Sequence, residues 1–257
     1  MGLRLHPRGL AHHPTVDILG VRVSRFGFRE TKEMCVKELD AKQGGYVCFA
    51  NVHTVTESLD SPDLCGALNQ AVFAVADGKP LVWVSRLLRA PISSRVCGPD
   101  FMADFLKHHP NYRHAFVGGK PGVADRLIQK FELKSAVAYC PPFRPYSDAY
   151  AREDWTALLK ASGGLPPDCV WVGLGAPKQE LWMRSVSQLG VTSLFFGVGA
   201  AFDFLTGGVA RAPAWMQSMG LEWFYRLTQE PRRLWRRYLS TNPRFVWRVF
   251  LQWMSRV

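Results

Sequence analysis

The chain has 257 residues, of which 47% are hydrophobic, and a formal net charge of +11. This composition excludes a disordered polypeptide and is sufficient for one large domain with a full apolar core. The charge is uneven, because residues 211–257 contain nine arginines and only two acids. A nucleic-acid binder usually spreads lysine and arginine over its binding surface, whereas this chain has no lysine after Lys178. We therefore expect no nucleic-acid partner.

The cysteines and the apolar runs indicate the compartment. Six cysteines lie thirteen or more residues apart, and no two have C-x-x-C spacing. This spacing argues against a zinc site and favours reduced, mostly buried thiols in the cytoplasm. The first residues have no secretory h-region, and no apolar run reaches the roughly eighteen residues that a spanning helix needs. Any membrane association is therefore expected to be peripheral.

Short apolar runs alternate with amphipathic, helix-like segments along the chain. The six strand-like runs are residues 46–50, 71–76, 114–118, 136–140, 169–173 and 193–198. This alternation predicts an α/β fold with a largely parallel, Rossmann-like sheet and helices on both faces. Ligands of such sheets bind at the loops that follow the strands. We place one boundary near residues 207–213, which divides the chain into an α/β catalytic core (1–208) and a C-terminal, arginine-rich helical appendage (209–257).

Polar residues follow the first two strands in the chain. Asn51 and His53 come directly after the first run, where Asn51 is either a helix cap or a ligand-binding amide. Asp77 and Gly78 follow the second run, just before a helix that is predicted to begin at Pro80. An aspartate in this place is either a turn residue or a general base, and the residue types alone leave both roles open.

Three later loops are rich in glycine. Residues 118–122 (GGKPG) have glycines that would let the backbone approach a phosphate, but they lack a full G-x-G-x-x-G. Residues 173–180 (GLGAPKQE) are a more specific pattern, in which Lys178 and Gln179 enter a helix at its positive end. Residues 197–203 end in Asp203, which either accepts hydrogen bonds from a base or sugar or caps the next turn.

The C-terminal segment combines arginine with tryptophan. It contains five of the nine tryptophans, and Arg226, Arg233, Arg236 and Arg237 would mostly share one face of a continuous helix. Arginine pairs bidentately with phosphate, and tryptophan is favoured at a membrane–water boundary. A lipid-linked diphosphate would satisfy both, whereas a solvated basic helix packed on the core is the plainer alternative.

Together these motifs resemble the WecG/TagA/CpsF glycosyltransferases, glycosyltransferase family 26. The resemblance covers nearly the whole chain. It rests on Asn51 and on residues 76–83 (ADGKPLVW), 116–127 (FVGGKPGVADRL), 172–182 (VGLGAPKQELW), 197–207 (GVGAAFDFLTG) and 211–245.

The resemblance implies an inverting transfer of a sugar from a UDP-sugar to a polyprenyl-diphosphate-linked saccharide. The setting would be bacterial cell-surface polysaccharide or exopolysaccharide biosynthesis, at the anionic cytoplasmic face of the membrane. By residue, it implies Asp77 as the catalytic base, with Asn51 and Gln179 in the sugar pocket and Asp203 near the uridine. It also implies that Arg226, Arg233 and Arg236 bind diphosphate. The donor sugar stays open among N-acetylmannosamine, its uronic acid and glucose, and a homo-oligomer is compatible with the sequence.

One position departs from the family pattern. Phe49 stands two residues before Asn51, where family members often have threonine, and His53 is a candidate to replace the missing hydroxyl. The chain has no D-x-D motif, so we expect no metal or other cofactor, with arginines and backbone N–H groups stabilising the leaving UDP. Two alternatives remain at this point: a nucleotide-binding oxidoreductase, and a non-catalytic module that binds membranes or nucleic acid through its basic C-terminal segment.

Overall fold

The computed structural model describes residues 13–256, apart from the side chains of residues 214, 218 and 233. In this part of the chain the strands are β1 (Thr15–Ile18), β2 (Val21–Ser24), β3 (Gly45–Ala50), β4 (Phe73–Ala76), β5 (His114–Gly118), β6 (Ala136–Tyr139), β7 (Cys169–Gly173) and β8 (Leu194–Gly197). β3 to β8 form one parallel sheet in the order β4-β3-β8-β7-β5-β6. All six predicted strand runs are in this sheet, so the predicted α/β fold is confirmed.

The helices follow most of the strands and lie on both faces of the sheet. They are α1 (Phe28–Asp40), α2 (Val52–Glu57), α3 (Pro62–Gln70), α4 (Lys79–Leu87), α5 (Gly98–His108), α6 (Val123–Lys130), α7 (Asp148–Ala161), α8 (Lys178–Ser187), α9 (Ala201–Leu205), α10 (Ala214–Ser218), α11 (Glu222–Gln229) and α12 (Pro231–Met254). Two of them start where the sequence predicts, α4 beside Pro80 and α6 at Val123.

The strands form the sheet because their side chains alternate between two apolar layers. In β3, Tyr46 and Cys48 belong to one buried cluster, and Val47 and Phe49 belong to the other. Successive side chains of a strand point to opposite faces, so each cluster covers one face. The first layer receives α2, α3, α4, α7, α8 and α12, and the second receives α1, α5, α6 and α9.

A two-stranded hairpin before the sheet was not predicted. β1 pairs antiparallel with β2 through a two-residue turn, Leu19-Gly20, in which both residues have positive φ. Positive φ at both central residues gives the twist that joins two short antiparallel strands. The alternation of buried Val16, Ile18 and Val21 around this turn was a readable signal. A charged residue interrupts each strand, Asp17 in β1 and Arg22 in β2, so neither strand is a continuous apolar run.

The C-terminal arginines do not lie on one continuous helix, so that expectation is wrong. Arg226 is in α11, whereas the later arginines are in α12, and the helical geometry is interrupted at Glu230. Glu230 precedes Pro231, and the proline ring disfavours helical geometry in the residue before it. Proline is well suited to the first turn of the next helix, so α12 begins there.

The C-terminal segment packs on the core. α12 runs along α2, and its Phe245 and Val249 are buried in the same apolar cluster as the hairpin. Arg244 forms a bidentate pair with Asp60, and Gln252 accepts a hydrogen bond from the backbone N–H of Leu19 at 3.2 Å. Among the described helices, none is both long and apolar enough to cross a membrane.

Candidate active site

The carboxyl ends of β3, β4, β7 and β8 open into one cavity of about 710 Å³, and α4, α11 and α12 close its other side. Five of the side chains singled out from the sequence line it: Asn51, His53, Asp77, Gln179 and Arg226. The cavity is therefore the candidate active site.

Asp77 is held in place by its backbone. Its backbone N–H donates to the carbonyl of Ala50 at 2.7 Å, which anchors the residue beside the end of β3. Gly78 then turns the chain with φ of 126°, a backbone conformation that residues with a Cβ rarely adopt. The carboxylate is thus fixed at the cavity wall, at the start of α4.

Burial raises the pKa of Asp77 to about 7, and the Glu222 carboxylate shifts it in the same direction, whereas Arg95 shifts it back. A carboxylic acid with a pKa near the working pH is suited to general-base catalysis, because it is partly ionised and still takes up a proton. The raised pKa therefore supports the role of general base that the sequence motif indicates for Asp77.

Glu222 belongs to a charged network that joins the C-terminal segment to the core. It contacts Arg95 at 3.3 Å and Arg211 at 3.8 Å, and Arg95 also donates to Gln217 at 3.2 Å. Arg211 pairs with Asp100 at the start of α5. Neither Arg95 nor Glu222 was singled out from the sequence, since neither stands in a strand-end loop, yet both line the cavity.

Asn51 is a helix cap that also faces the cavity. Its Oδ1 accepts from the Thr54 N–H at 3.2 Å, and Thr54 Oγ1 accepts from the Asn51 N–H at 2.9 Å, which caps α2. Its Nδ2 makes no hydrogen bond to any described residue, although Asn51 lines the cavity. The cap therefore orients the side chain and leaves its amide donors for a ligand.

His53 lines the same wall as a neutral imidazole. Burial lowers its pKa to about 4, and the charge of Arg237 adds to this effect. Its Nδ1 lies 3.7 Å from Glu57 and is enclosed. Two residues before Asn51, Phe49 also reaches the cavity and packs against Phe101 at 5.5 Å between ring centroids. A neutral histidine and a phenyl ring thus occupy the region where the family pattern has a hydroxyl.

Gln179 is almost fully buried, at 4% exposure, at the start of α8. Its Nε2 donates to the carbonyl of Gly197 and to Glu180, both at 2.9 Å, whereas its Oε1 has no hydrogen-bond partner among the described residues. An unpaired buried carbonyl oxygen is costly unless a ligand donates to it. A Cβ at Gly197 would come within 2.6 Å of the terminal methyl group of Met183 and 3.2 Å of Gln179 Nε2, so a larger residue there would make these side chains shift.

The arginines divide into two groups. Arg226 and Arg237 line the cavity, whereas Arg236 is exposed beside the ring of Trp235 and does not line it. The guanidinium of Arg226 lies 5.2 Å from the Phe204 ring, and its Nε is enclosed without a hydrogen-bond partner among the described residues. The side chain of Arg233 lies outside the described part of the structure.

Asp203 does not line the cavity either, although it is adjacent in sequence to residues that do. Its backbone carbonyl accepts from Gly208 and Val209 at the end of α9, and the neighbouring Phe204 reaches the cavity instead. Asp203 therefore closes a turn in this structure, and its proximity to uridine stays a prediction.

The structure shows neither a metal-binding cluster nor a disulfide among residues 13–256. No three histidine, cysteine or acidic side chains in this range come together in a group that could hold a metal ion. All six cysteines are free thiols, and four of them are buried, as expected from the sequence. Their redox state in the cell stays a prediction.

Comparison with known proteins decides the family. Residues 16–257 match the model of the glycosyl transferase WecG/TagA/CpsF family. The chain belongs to this family. It is 31% identical over 204 residues to an N-acetylglucosaminyldiphosphoundecaprenol N-acetyl-beta-D-mannosaminyltransferase of Bacillus subtilis (strain 168), covering 79% of this chain and 78% of the relative. A similarly named enzyme of Bacillus spizizenii is 32% identical over 204 residues, which cover 79% of this chain and 77% of the relative.

Membership of the family identifies the chain as a glycosyltransferase. It excludes the oxidoreductase alternative and the non-catalytic alternative. The structure agrees, because the glycine loop at residues 118–122 that suggested a dinucleotide does not line the cavity. A side chain at Gly118 would instead come within 2.8 Å of the Gly173 carbonyl, so this glycine permits close packing of neighbouring strand ends.

Proposed function

We propose that the protein is an inverting glycosyltransferase that moves a hexosyl or N-acetylhexosaminyl group from a UDP-sugar to a polyprenyl-diphosphate-linked saccharide. The observation that carries this proposal is the position of Asp77. It lies on the wall of a cavity that also presents three arginines, Arg95, Arg226 and Arg237, the amide donors of Asn51 and the unpaired Oε1 of Gln179. The names of both relatives describe transfer to a diphosphoundecaprenol-linked sugar.

In the proposed reaction, Asp77 takes the proton from the acceptor hydroxyl as the oxygen attacks the anomeric carbon of the donor. The bond from that carbon to the UDP oxygen breaks on the opposite side, so the configuration inverts. A buried carboxylate with a pKa of about 7 is matched to this proton transfer. Asn51 and Gln179 would orient the sugar through the amide donors and the carbonyl oxygen that they leave unpaired.

The departing UDP needs positive charge. Arg226 and Arg237 supply it from α11 and α12, and the N-terminus of α8 adds backbone N–H groups beside Gly175. We propose that these groups replace a metal ion. Activity should then persist in EDTA, and a strict requirement for magnesium or manganese would contradict this part of the proposal.

For the donor, we favour N-acetylmannosamine because both relatives are named for it. Its uronic acid and glucose are the other candidates. The side chains that replace the family's hydroxyl here are Phe49 and the neutral His53.

We also propose peripheral binding to the anionic cytoplasmic face of the bacterial membrane. The C-terminal segment has several large side chains that are exposed together with arginines. Its exposed apolar residues include Trp215, Met219, Phe224, Trp235, Leu239, Trp247 and Met254. Tryptophan is favoured at the bilayer boundary and arginine at anionic headgroups. Flotation with anionic liposomes should retain the full chain, and retention should weaken as salt rises.

The transfer itself can be tested with the purified full chain. N-acetylglucosaminyl-diphosphate linked to a short prenyl chain would be incubated with UDP-N-acetylmannosamine, UDP-N-acetylmannosaminuronic acid and UDP-glucose, followed by mass spectrometry of the lipid product. We expect the acceptor to gain the mass of one sugar with one of these donors. If no UDP-sugar is transferred, while the same preparation binds UDP, the proposed reaction is wrong.

A further inference from the structure

The candidate active-site cavity has a polar part and an apolar part. Its charged lining residues come from the strand-end loops, the loop before α5, α2, α4, α11 and the first half of α12. Beyond Asn242, every lining residue of α12 is apolar. We call this second part the apolar groove and define it by Trp83, Leu87, Val246, Val249, Phe250 and Trp253.

The apolar groove is lined by one face of α4 and one face of α12. Trp83 and Leu87 are four residues apart on α4, and the residues of α12 follow at offsets of three, four and seven. Residues at these spacings share one side of a helix. The arginines of the same stretch do not line the groove: Arg244 pairs with Asp60, and Arg248 is exposed. This half of α12 therefore turns only apolar side chains towards the cavity.

The apolar groove is open as well as apolar. Trp83 is 51% exposed, Leu87 45% and Phe250 43%. Contiguous exposed apolar surface is uncommon in a protein that has no ligand for it. A sugar or a nucleotide would leave its hydroxyl groups unpaired here, because the groove offers almost no hydrogen-bonding side chains. The chemistry fits a hydrocarbon chain.

We propose that the apolar groove binds the isoprenoid chain of the acceptor, at the part that adjoins the diphosphate. This inference rests on the proposed function. Arg226 and Arg237 line the same cavity in its polar part. One continuous space thus offers a base for the sugar hydroxyl, cations for the diphosphate and an apolar wall for the lipid. The more outward-facing aromatic residues of the C-terminal segment remain available for the bilayer surface.

Binding and transfer would be compared for two acceptors that differ only in their lipid. Both carry N-acetylglucosaminyl-diphosphate, one on a farnesyl chain and one on an ethyl group, at concentrations below micelle formation and without a membrane. Isothermal titration to the full chain measures affinity, and a steady-state assay measures KM. We expect the farnesyl acceptor to bind at least about tenfold more tightly, from burial of its apolar surface.

Two matched leucines test the location. Leu87→Gln changes the apolar groove, whereas Leu239→Gln changes a residue of α12 that is 67% exposed and does not line the cavity. We expect Leu87→Gln to lose about fivefold or more of the preference for farnesyl, with the affinity for the ethyl acceptor unchanged. Leu239→Gln should keep the preference. Phe250→Gln, on the facing helix, provides a second groove variant if Leu87→Gln does not fold.

The results separate this inference from the proposed function. Equal affinity of the wild-type protein for both acceptors, or the same loss in Leu239→Gln, would overturn the assignment of the groove, even if sugar transfer proceeds. A farnesyl preference that depends on Leu87 but occurs without transfer from any UDP-sugar would support the groove and reject the proposed reaction.

Discussion

The two walls of the active-site cavity are built in different ways. The strand-end wall presents Asn51, Asp77 and Gln179 from loops that are fixed by the sheet and by short hydrogen bonds. The C-terminal wall presents Arg226 and Arg237 from helices α11 and α12. These helices pack on the core through buried residues such as Phe245 and Val249. The groups that we propose to meet the reacting atoms are thus held by hydrogen bonds at the strand ends, whereas those that we propose to meet the lipid-linked substrate lie on helices packed against the core.

The largest effect is expected on the strand-end wall. Asp77→Asn keeps the shape of the side chain but removes the base, so kcat should fall by roughly a hundredfold or more. The affinity for UDP should change little. Asp125→Asn, at an exposed position of α6, is the control. Near-normal turnover of the Asp77 variant would assign the base to another residue, with His53 the first alternative.

The pH profile tests the same carboxylate without a mutation. Because the pKa of Asp77 is raised to about 7, the active ionised form is lost as the pH falls below that value. We expect kcat/KM to decrease about tenfold per pH unit on the acid side and to level off above neutrality. A profile that stays flat from pH 5 to 8 would contradict this assignment.

A smaller effect is expected on the C-terminal wall, where two neighbouring arginines form a matched pair. Arg237→Gln removes a cavity arginine and should lower kcat/KM for the lipid-linked acceptor by roughly 10- to 100-fold, as for a protected charged hydrogen bond. Arg236→Gln changes an exposed arginine and should cost less than about fivefold. A larger loss in Arg236→Gln than in Arg237→Gln would instead support the diphosphate-binding role that the family resemblance implies for Arg236.

The network between the two walls should have a finer effect. Glu222 raises the pKa of Asp77, so Glu222→Gln should move the acid side of the activity profile to lower pH and leave the plateau close to that of the wild type. Glu153→Gln, on the exposed surface of α7, should not move it. A lower plateau with an unmoved midpoint would show that Glu222 has only a structural role.

The smallest effect is expected from reductant. All six cysteines are free thiols, so dithiothreitol should leave the thermal midpoint unchanged. A sharp fall of the midpoint would reveal a disulfide. This measurement also serves as a baseline for the folded state of every variant above.

Removing the C-terminal segment would be a poor way to separate the two walls. The division of the chain at residues 208 and 209 would suggest that truncation after Gly208 leaves an intact α/β core. Phe245 and Val249 are buried in the same cluster as β1 and β2, so their loss would expose apolar core surface. The division at residues 208 and 209 therefore stays a prediction about function, and single substitutions test it more cleanly.

Local patterns in the sequence were sufficient for the sheet and for half of the site. Short apolar runs predict the strands, and the parallel arrangement brings Asn51, Asp77 and Gln179 to one edge because parallel strands end on the same side. These inferences depend only on neighbouring residues and on a general rule of topology. The same reasoning missed the β1–β2 hairpin, because a charged residue interrupts each of its strands, Asp17 in β1 and Arg22 in β2.

Only the tertiary structure decided which charged residues share the cavity. Arg95 and Glu222 are 127 residues apart and meet through packing of α11 on the core, which no local pattern encodes. The choice between Arg236 and Arg237 depends on the rotation of α12 about its axis, and the break at Glu230 resets that rotation relative to Arg226. Sequence alone determined the fold and the residue types at the strand ends, because these follow from local periodicity. The facing wall was decided by long-range packing.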